Sequence, residues 1–134
     1  MEVGRFRLDD FELYKIAREF RKRVYQLIRR LPVDERFALA CQMRRAAVSV
    51  TNNIAEGHGR WHYQENIRFC RISRGSVDEL IDDFNTCLDE QYADPASVEQ
   101  LKVEAYDLIR RINGYLAYLR KTKQGNERDD EGGG

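Results

Sequence analysis

The stretch from Gln42 to Arg60 constrains the fold more than any other part of the chain. Leu39, Met43, Ala46, Val50 and Ile54 recur at spacings of three and four, the stripe by which a helix meets a core. Gly57 and Gly59 follow as residues able to take positive φ, so the helix is expected to end at Gly57. On a 3.6-residue wheel, however, Phe37, Cys41, Val48 and Ala55 fall nearly opposite the first stripe. A surface helix needs one apolar face, and this one has two. Ala46, Ala47, Ser49 and Ala55 are also small enough to let another backbone come close. Two readings stay open: the helix is the most central of a bundle, or its second face meets another subunit.

Composition narrows the class. The chain has 134 residues, two of them Pro, and 34% are charged. One domain fits this length, and few breakers with many Arg, Glu, Leu and Ala favour an all-helical protein. Net charge is zero, which argues against a broadly basic nucleic-acid binder. The charge is unevenly spread, though: residues 1–60 are net basic, 61–90 net acidic, 91–123 mildly basic and 124–134 acidic, so a local basic surface is still available. Cys41, Cys70 and Cys87 lie within helical patterns with no Cys-x-x-Cys pair, and are expected to be buried apolar residues in a reducing, cytoplasmic setting. No signal peptide is visible in the charged first 20 residues, and no run approaches the ~18 apolar residues of a membrane span.

Four helices are expected, at about 10–30, 35–56, 63–88 and 95–121. They form an up-down-up-down antiparallel bundle over residues 1–123, followed by a disordered charged, Gly-rich tail at 124–134. Asp9 or Asp10, Asp34 and Asp94 are the candidate N-caps, and Pro95 suits a first helical position. The core stripes are Leu13, Ala17, Phe20, Val24, Leu27 and Leu31 in the first helix; Ile67, Cys70, Val77, Ile81, Phe84 and Leu88 in the third; and Val98, Leu101, Ala105, Leu108, Ile112, Leu116 and Leu119 in the fourth. Ile72 points away from the third stripe, near Gly75. A mid-helix Gly costs about 0.8–1 kcal/mol against Ala, a cost that is reasonable where another backbone passes. Phe37, Cys41, Val48, Ala55, Ile72 and Gly75 are therefore the candidate oligomer interface. Tyr106, Tyr115 and Tyr118 add more aromatic surface than one core needs.

Lys15, Arg18, Lys22 and Arg29 cluster opposite the first core stripe. With Arg5 and Arg7 in the lead, and Arg60 beside Trp61, they form the candidate nucleic-acid surface; a plain solvated face is the alternative. Arg44, Arg45, Asn53, Glu56, Asp78, Glu79 and Asp82 are expected to form a structural network, Asn53 and Glu56 holding the turn to Arg60 and the arginines pairing with the acids of the third helix. Asp83, Asp89 and Glu90 extend that acidic segment, as a solvated face or as partners for Arg44, Arg45 and the basic residues of the first helix. His58, His62 and Glu65 come nearest to a catalytic or metal-binding group, but no Glu-x-x-His or His-Glu-x-x-His accompanies them, and no nucleophile stands beside a base. No catalysis, metal or cofactor is expected.

Gln42-Met43-Arg44-Arg45-Ala46 at the start of the stretch, Asn53-Ile54-Ala55-Glu56-Gly57-His58-Gly59-Arg60 at its end, and Gly75-Ser76-Val77-Asp78-Glu79-Leu80 later resemble the four-helix-bundle proteins encoded in 23S rRNA intervening sequences. That family includes relatives of the accessory variability determinant of diversity-generating retroelements. Met43 stands where the family pattern has Leu. The resemblance spans about residues 10–120 and implies a ring-like homopentamer. For the retroelement members it further implies binding of RNA, DNA or an RNA–DNA hybrid together with a reverse transcriptase. The alternative is a structural or protein-interaction bundle with no nucleic-acid role. Zero net charge departs from the clearly basic retroelement members.

Overall fold

The computed structural model describes residues 7–60 and 62–133, with side chains as far as residue 122. Four α-helices follow one another: α1 (Glu12–Ile28), α2 (Leu39–His58), α3 (Tyr63–Asp89) and α4 (Pro95–Gly133), with 3-10 turns at Leu8–Asp10 and Val33–Glu35. They pack as an antiparallel four-helix bundle in which α2 and α3 share the most extensive seam and α1 and α4 close the ring more loosely. The described backbone of α4 runs on to Gly133. The side chains from residue 123 onward lie outside those described.

The 3.6-residue stripes become the core. Phe20 and Phe84 meet edge to face at its centre, with ring centroids 6.4 Å apart, and Met43, Val50, Ile54, Leu108, Ile112 and Leu116 are buried around them. Leu31 and Leu88 are only partly buried, at the bundle's edge.

The helix ends depart from expectation in instructive ways. α1 starts at Glu12 because Asp9 and Asp10 are drawn into the preceding 3-10 turn; its N-cap is Phe11, with no side-chain cap bond. α2 starts at Leu39, since Val33–Glu35 winds tightly and Ala38 is non-helical at φ −119°, ψ −95°. The residue that reaches the first free amide of α2 is Glu35, not Asp34: Leu39 N donates to Glu35 Oε1 at 3.3 Å. Asp94 does cap α4, accepting from Ser97 N at 3.1 Å and Ser97 Oγ at 3.0 Å, and Pro95 occupies the first helical position. Two residues past the end of α3, Gln91 stands at φ 58° while Tyr92 N donates to Cys87 O at 2.9 Å, a Schellman-type stop built on a residue other than Gly.

Gly57 is not the stop of α2. The helix runs to His58, and the cap, Gly59, sits at φ −78°. A Cβ on Gly57 would lie 2.5 Å from Asn66 Oδ1 and 3.2 Å from Asn66 O. Glycine is required there by the close approach of α3, not by backbone handedness.

Candidate interaction surfaces

The α2–α3 seam is polar as well as apolar. Ser73 Oγ donates to Val50 O at 2.7 Å, Ser76 Oγ to Ser49 Oγ at 2.7 Å, and Gln42 Nε2 to Asp83 Oδ1 at 2.7 Å. These short side chains let the two helices approach and satisfy their own polar atoms across the gap. Asp83, grouped with a solvated acidic face from sequence, is 1% exposed, and its Oδ2 has no hydrogen-bond partner among the described residues. Burial, followed by the charges of Asp82 and Glu79, pushes its carboxyl up to about 6 against the lowering effect of the Gln42 bond. Nothing in the periodicity distinguishes Asp83 from Asp82 except its place one step nearer α2.

At the opposite end of the seam, Asn66 Nδ2 donates to Tyr115 Oη at 2.9 Å. Tyr115 in turn packs on Phe11 and Tyr118, with ring centroids 5.0 and 6.2 Å away, and His58 stacks on Phe11 at 5.1 Å. His58 is thus part of an aromatic lid. Among the described residues, no three His, Cys, Asp or Glu side chains gather closely enough to hold a metal ion. Cys70 and Cys87 are buried and their thiols rise to about 11, chiefly through burial. Cys41, expected inside, is exposed, because it belongs to the outer stripe of α2.

The expected network is only partly assembled. Asn53 Nδ2 donates to Ser49 O at 2.8 Å and Ser49 Oγ at 3.0 Å, within its own helix. Arg60 pairs with Glu56 at 3.0 Å. Arg44 and Arg45 are both exposed, and among the described residues no ion pair joins either to Asp78, Glu79 or Asp82. Arg44 lies over the Tyr25 ring instead, 5.4 Å from its centroid. Among the described residues, the ion pair that does tie helices together is Arg23–Glu104, between α1 and α4 at 2.5 Å. It borders an open groove of about 600 Å³ lined by Ile16, Phe20, Val103, Tyr106 and Leu108.

The candidate nucleic-acid residues stand on separate elements. Lys15, Arg18 and Lys22 lie exposed along α1 and Arg29 just past its end, but Lys15 is paired with Glu12 at 3.9 Å and Lys22 with Glu19 at 3.4 Å. Arg7 is paired with Asp10 at 3.5 Å. Arg60 lies at the α2 end, where it and Arg68 both approach the Phe69 ring, 5.1 and 5.0 Å from its centroid. Arg5 and Trp61 lie outside the described residues. Of the candidate interface residues, Phe37 is 86% and Ile72 43% exposed, Val48 and Ala55 are half-buried, and Gly75 is exposed. No described helix is long and apolar enough to cross a membrane.

Polar seams that are mostly self-satisfied, an aromatic lid at one end and chemistry confined to exposed charges and outer stripes define a small four-helix-bundle protein with no catalytic constellation among its described residues. The model of the 23S rRNA-intervening sequence protein family matches residues 9–114, and the chain belongs to that family. It is also similar in structure to a protein of unknown function from the S23 ribosomal protein family of Bacteroides thetaiotaomicron, with a TM-score of 0.72 and 18% identity over 78% of this chain and 97% of that one. At that identity the likeness shows the fold alone. No curated protein matches the chain.

Proposed function

We propose that this protein works as a self-assembling interaction bundle with no catalytic step of its own. One observation carries the reading: at Gly75, in the middle of α3, a Cβ would meet nothing within 4 Å beyond its own stretch of helix backbone. Glycine there weakens the helix, and its own chain offers no compensating close contact, in contrast to Gly57. The neighbouring Ile72 is left half in water. A second chain passing over Gly75 accounts for both. The resemblance stated above implies a ring of five, and the candidate interface residues on α2 and α3 are the surface such contacts would use. Light scattering on the purified chain at micromolar concentration tests the reading: a multiple of the 15.8 kDa chain mass is expected, and a monomer would overturn it.

A second reading adds nucleic acid and a reverse transcriptase as partners. It is favoured by the Arg60–Phe69–Arg68 cluster and by Arg18 on α1 and Arg29 at its C-cap, which remain exposed with no ion pair among the described residues. Repetition around an oligomer would multiply weak phosphate contacts. RNA, DNA or hybrid binding that falls with salt at a log–log slope of roughly −0.7 to −0.9 per phosphate contact, and that weakens when Arg18, Arg60 and Arg68 are replaced together, is the expected result. No binding at about 50 mM salt, where such contacts are strongest, would leave the interaction-module reading alone.

A further inference from the structure

We propose that the Gly75 face of α3 docks head to tail into the α1–α4 groove of a second copy, with Arg71 reaching the Glu104 carboxylate there. The inference rests on the self-association reading and adds the surface used on each side. The groove lacks an occupant. Ile16, Phe20, Val103 and Leu108 line it, and Val103 is left largely in water. Its ion pair uses half of an acid: Glu104 Oε1 faces Arg23 Nε at 2.5 Å, while Oε2 is shielded and accepts no hydrogen bond among the described residues. A shielded carboxylate oxygen costs free energy until a donor reaches it, and a carboxylate has acceptor sites for a second arginine. The Glu104 side chain is 22% exposed, so a rotation about its last bond turns Oε2 outward.

The α3 face offers what the groove lacks. At about 100° per residue, Arg68, Arg71, Ile72, Asp78, Glu79 and Asp82 point within about 60° of Gly75, and all are exposed. Among the described residues none of the five charged ones forms an ion pair. Arg74, bonded to Asn113, and Ser76, bonded to Ser49, fix the two sides of this ridge. Arg71 leans toward α4, while Arg68, Ile72 and Glu79 lean toward α2. A second copy docked in the same orientation turns its α4 to the α4 side of the ridge and its α1 to the α2 side. With Arg71 donating to Glu104 of the second copy, Ile72 covers the apolar wall at its Phe20. Arg68, about 4.5 Å lower along the helix, reaches Glu19 of the second copy, and Glu79, about 12 Å higher, comes level with its Arg30. Val103 of the second copy, on the lip of the groove, fits the space left by the absent Cβ of Gly75. The reverse orientation would carry Arg68 toward Arg30 and Glu79 toward Glu12. Ridge and groove are different patches of one chain, so the contact is heterologous and closes by rotation into a ring of any number, five included.

Cross-linking tests the docking without touching the core. In a Cys41→Ser background, which removes the exposed native thiol, one chain carries Ile72→Cys and another Val103→Cys. Refolded together and treated with a short bis-maleimide, the two should give a covalent dimer, and either variant alone should give none. Separately, Arg71→Glu should raise the dissociation constant of the assembly at least tenfold while keeping the helical circular dichroism of the native chain, and Arg71→Lys should lose less. Three results would overturn the docking while leaving self-association intact: Ile72→Cys cross-linking to itself, an assembled mixture that gives no cross-link, or an unchanged dissociation constant for Arg71→Glu. A monomeric native chain would overturn both.

Discussion

Asp83→Asn should stabilise the bundle at neutral pH and remove a defined part of its pH dependence. The carboxyl is buried between α2 and α3 with one oxygen bonded to Gln42 and the other without a partner. Its pKa rises from 3.8 to about 6 on folding. Below pH 4 both folded and unfolded chains hold the proton, and the group costs nothing. Between about pH 4 and 6 the unfolded chain releases the proton while the folded chain retains it, so the unfolded state binds fewer protons and stability falls as pH rises. Above pH 6 the loss is complete. Two units at about 1.36 kcal/mol each set an upper limit of about 3 kcal/mol. The amide keeps the acceptor for Gln42 and carries no charge, so its stability should not change over this window on account of position 83. Urea unfolding followed by circular dichroism, at fixed protein concentration and at half-unit steps from pH 4 to 8, gives the difference between the two chains. That difference isolates Asp83 from every other titrating group. It should move by about 2–3 kcal/mol in favour of the variant across the window. Parallel curves, with a constant difference at all pH values, would refute the claim that Asp83 is a costly buried acid.

Two further outcomes follow from the packing. Gly57→Ala should destabilise by about 1–3 kcal/mol, despite alanine's better helix propensity, because the new methyl meets Asn66 and disturbs its bond to Tyr115; chemical unfolding checks it, and a gain in stability would show that α3 can move away. Thiol titration of the folded chain should find at most one reactive cysteine, Cys41, with Cys70 and Cys87 reacting only in denaturant because both are buried and held protonated; two fast thiols in the native protein would contradict the packing.

The sequence by itself determined the bundle. Apolar residues three and four apart name the inward face of each helix, and Leu39, Met43, Ala46, Val50 and Ile54 are all buried as that rule requires. Asp94 and Pro95 likewise act through bonds within a single turn, so local chemistry suffices to read them. What needed the tertiary structure is whatever depends on a neighbour distant in the chain. Gly57 and Gly75 are alike in sequence, but Asn66 crowds the one and open space faces the other. Asp82 and Asp83 are adjacent carboxylates, yet the 100° step between them puts one in water and the other against Gln42, 41 residues away. Arg44 and Arg45 remained exposed, Arg44 against the Tyr25 ring of α1, and an exposed ion pair would add little to offset the entropy of fixing two long side chains. Periodicity states which way a residue faces; what it meets there is decided only when α2 and α3 come into register.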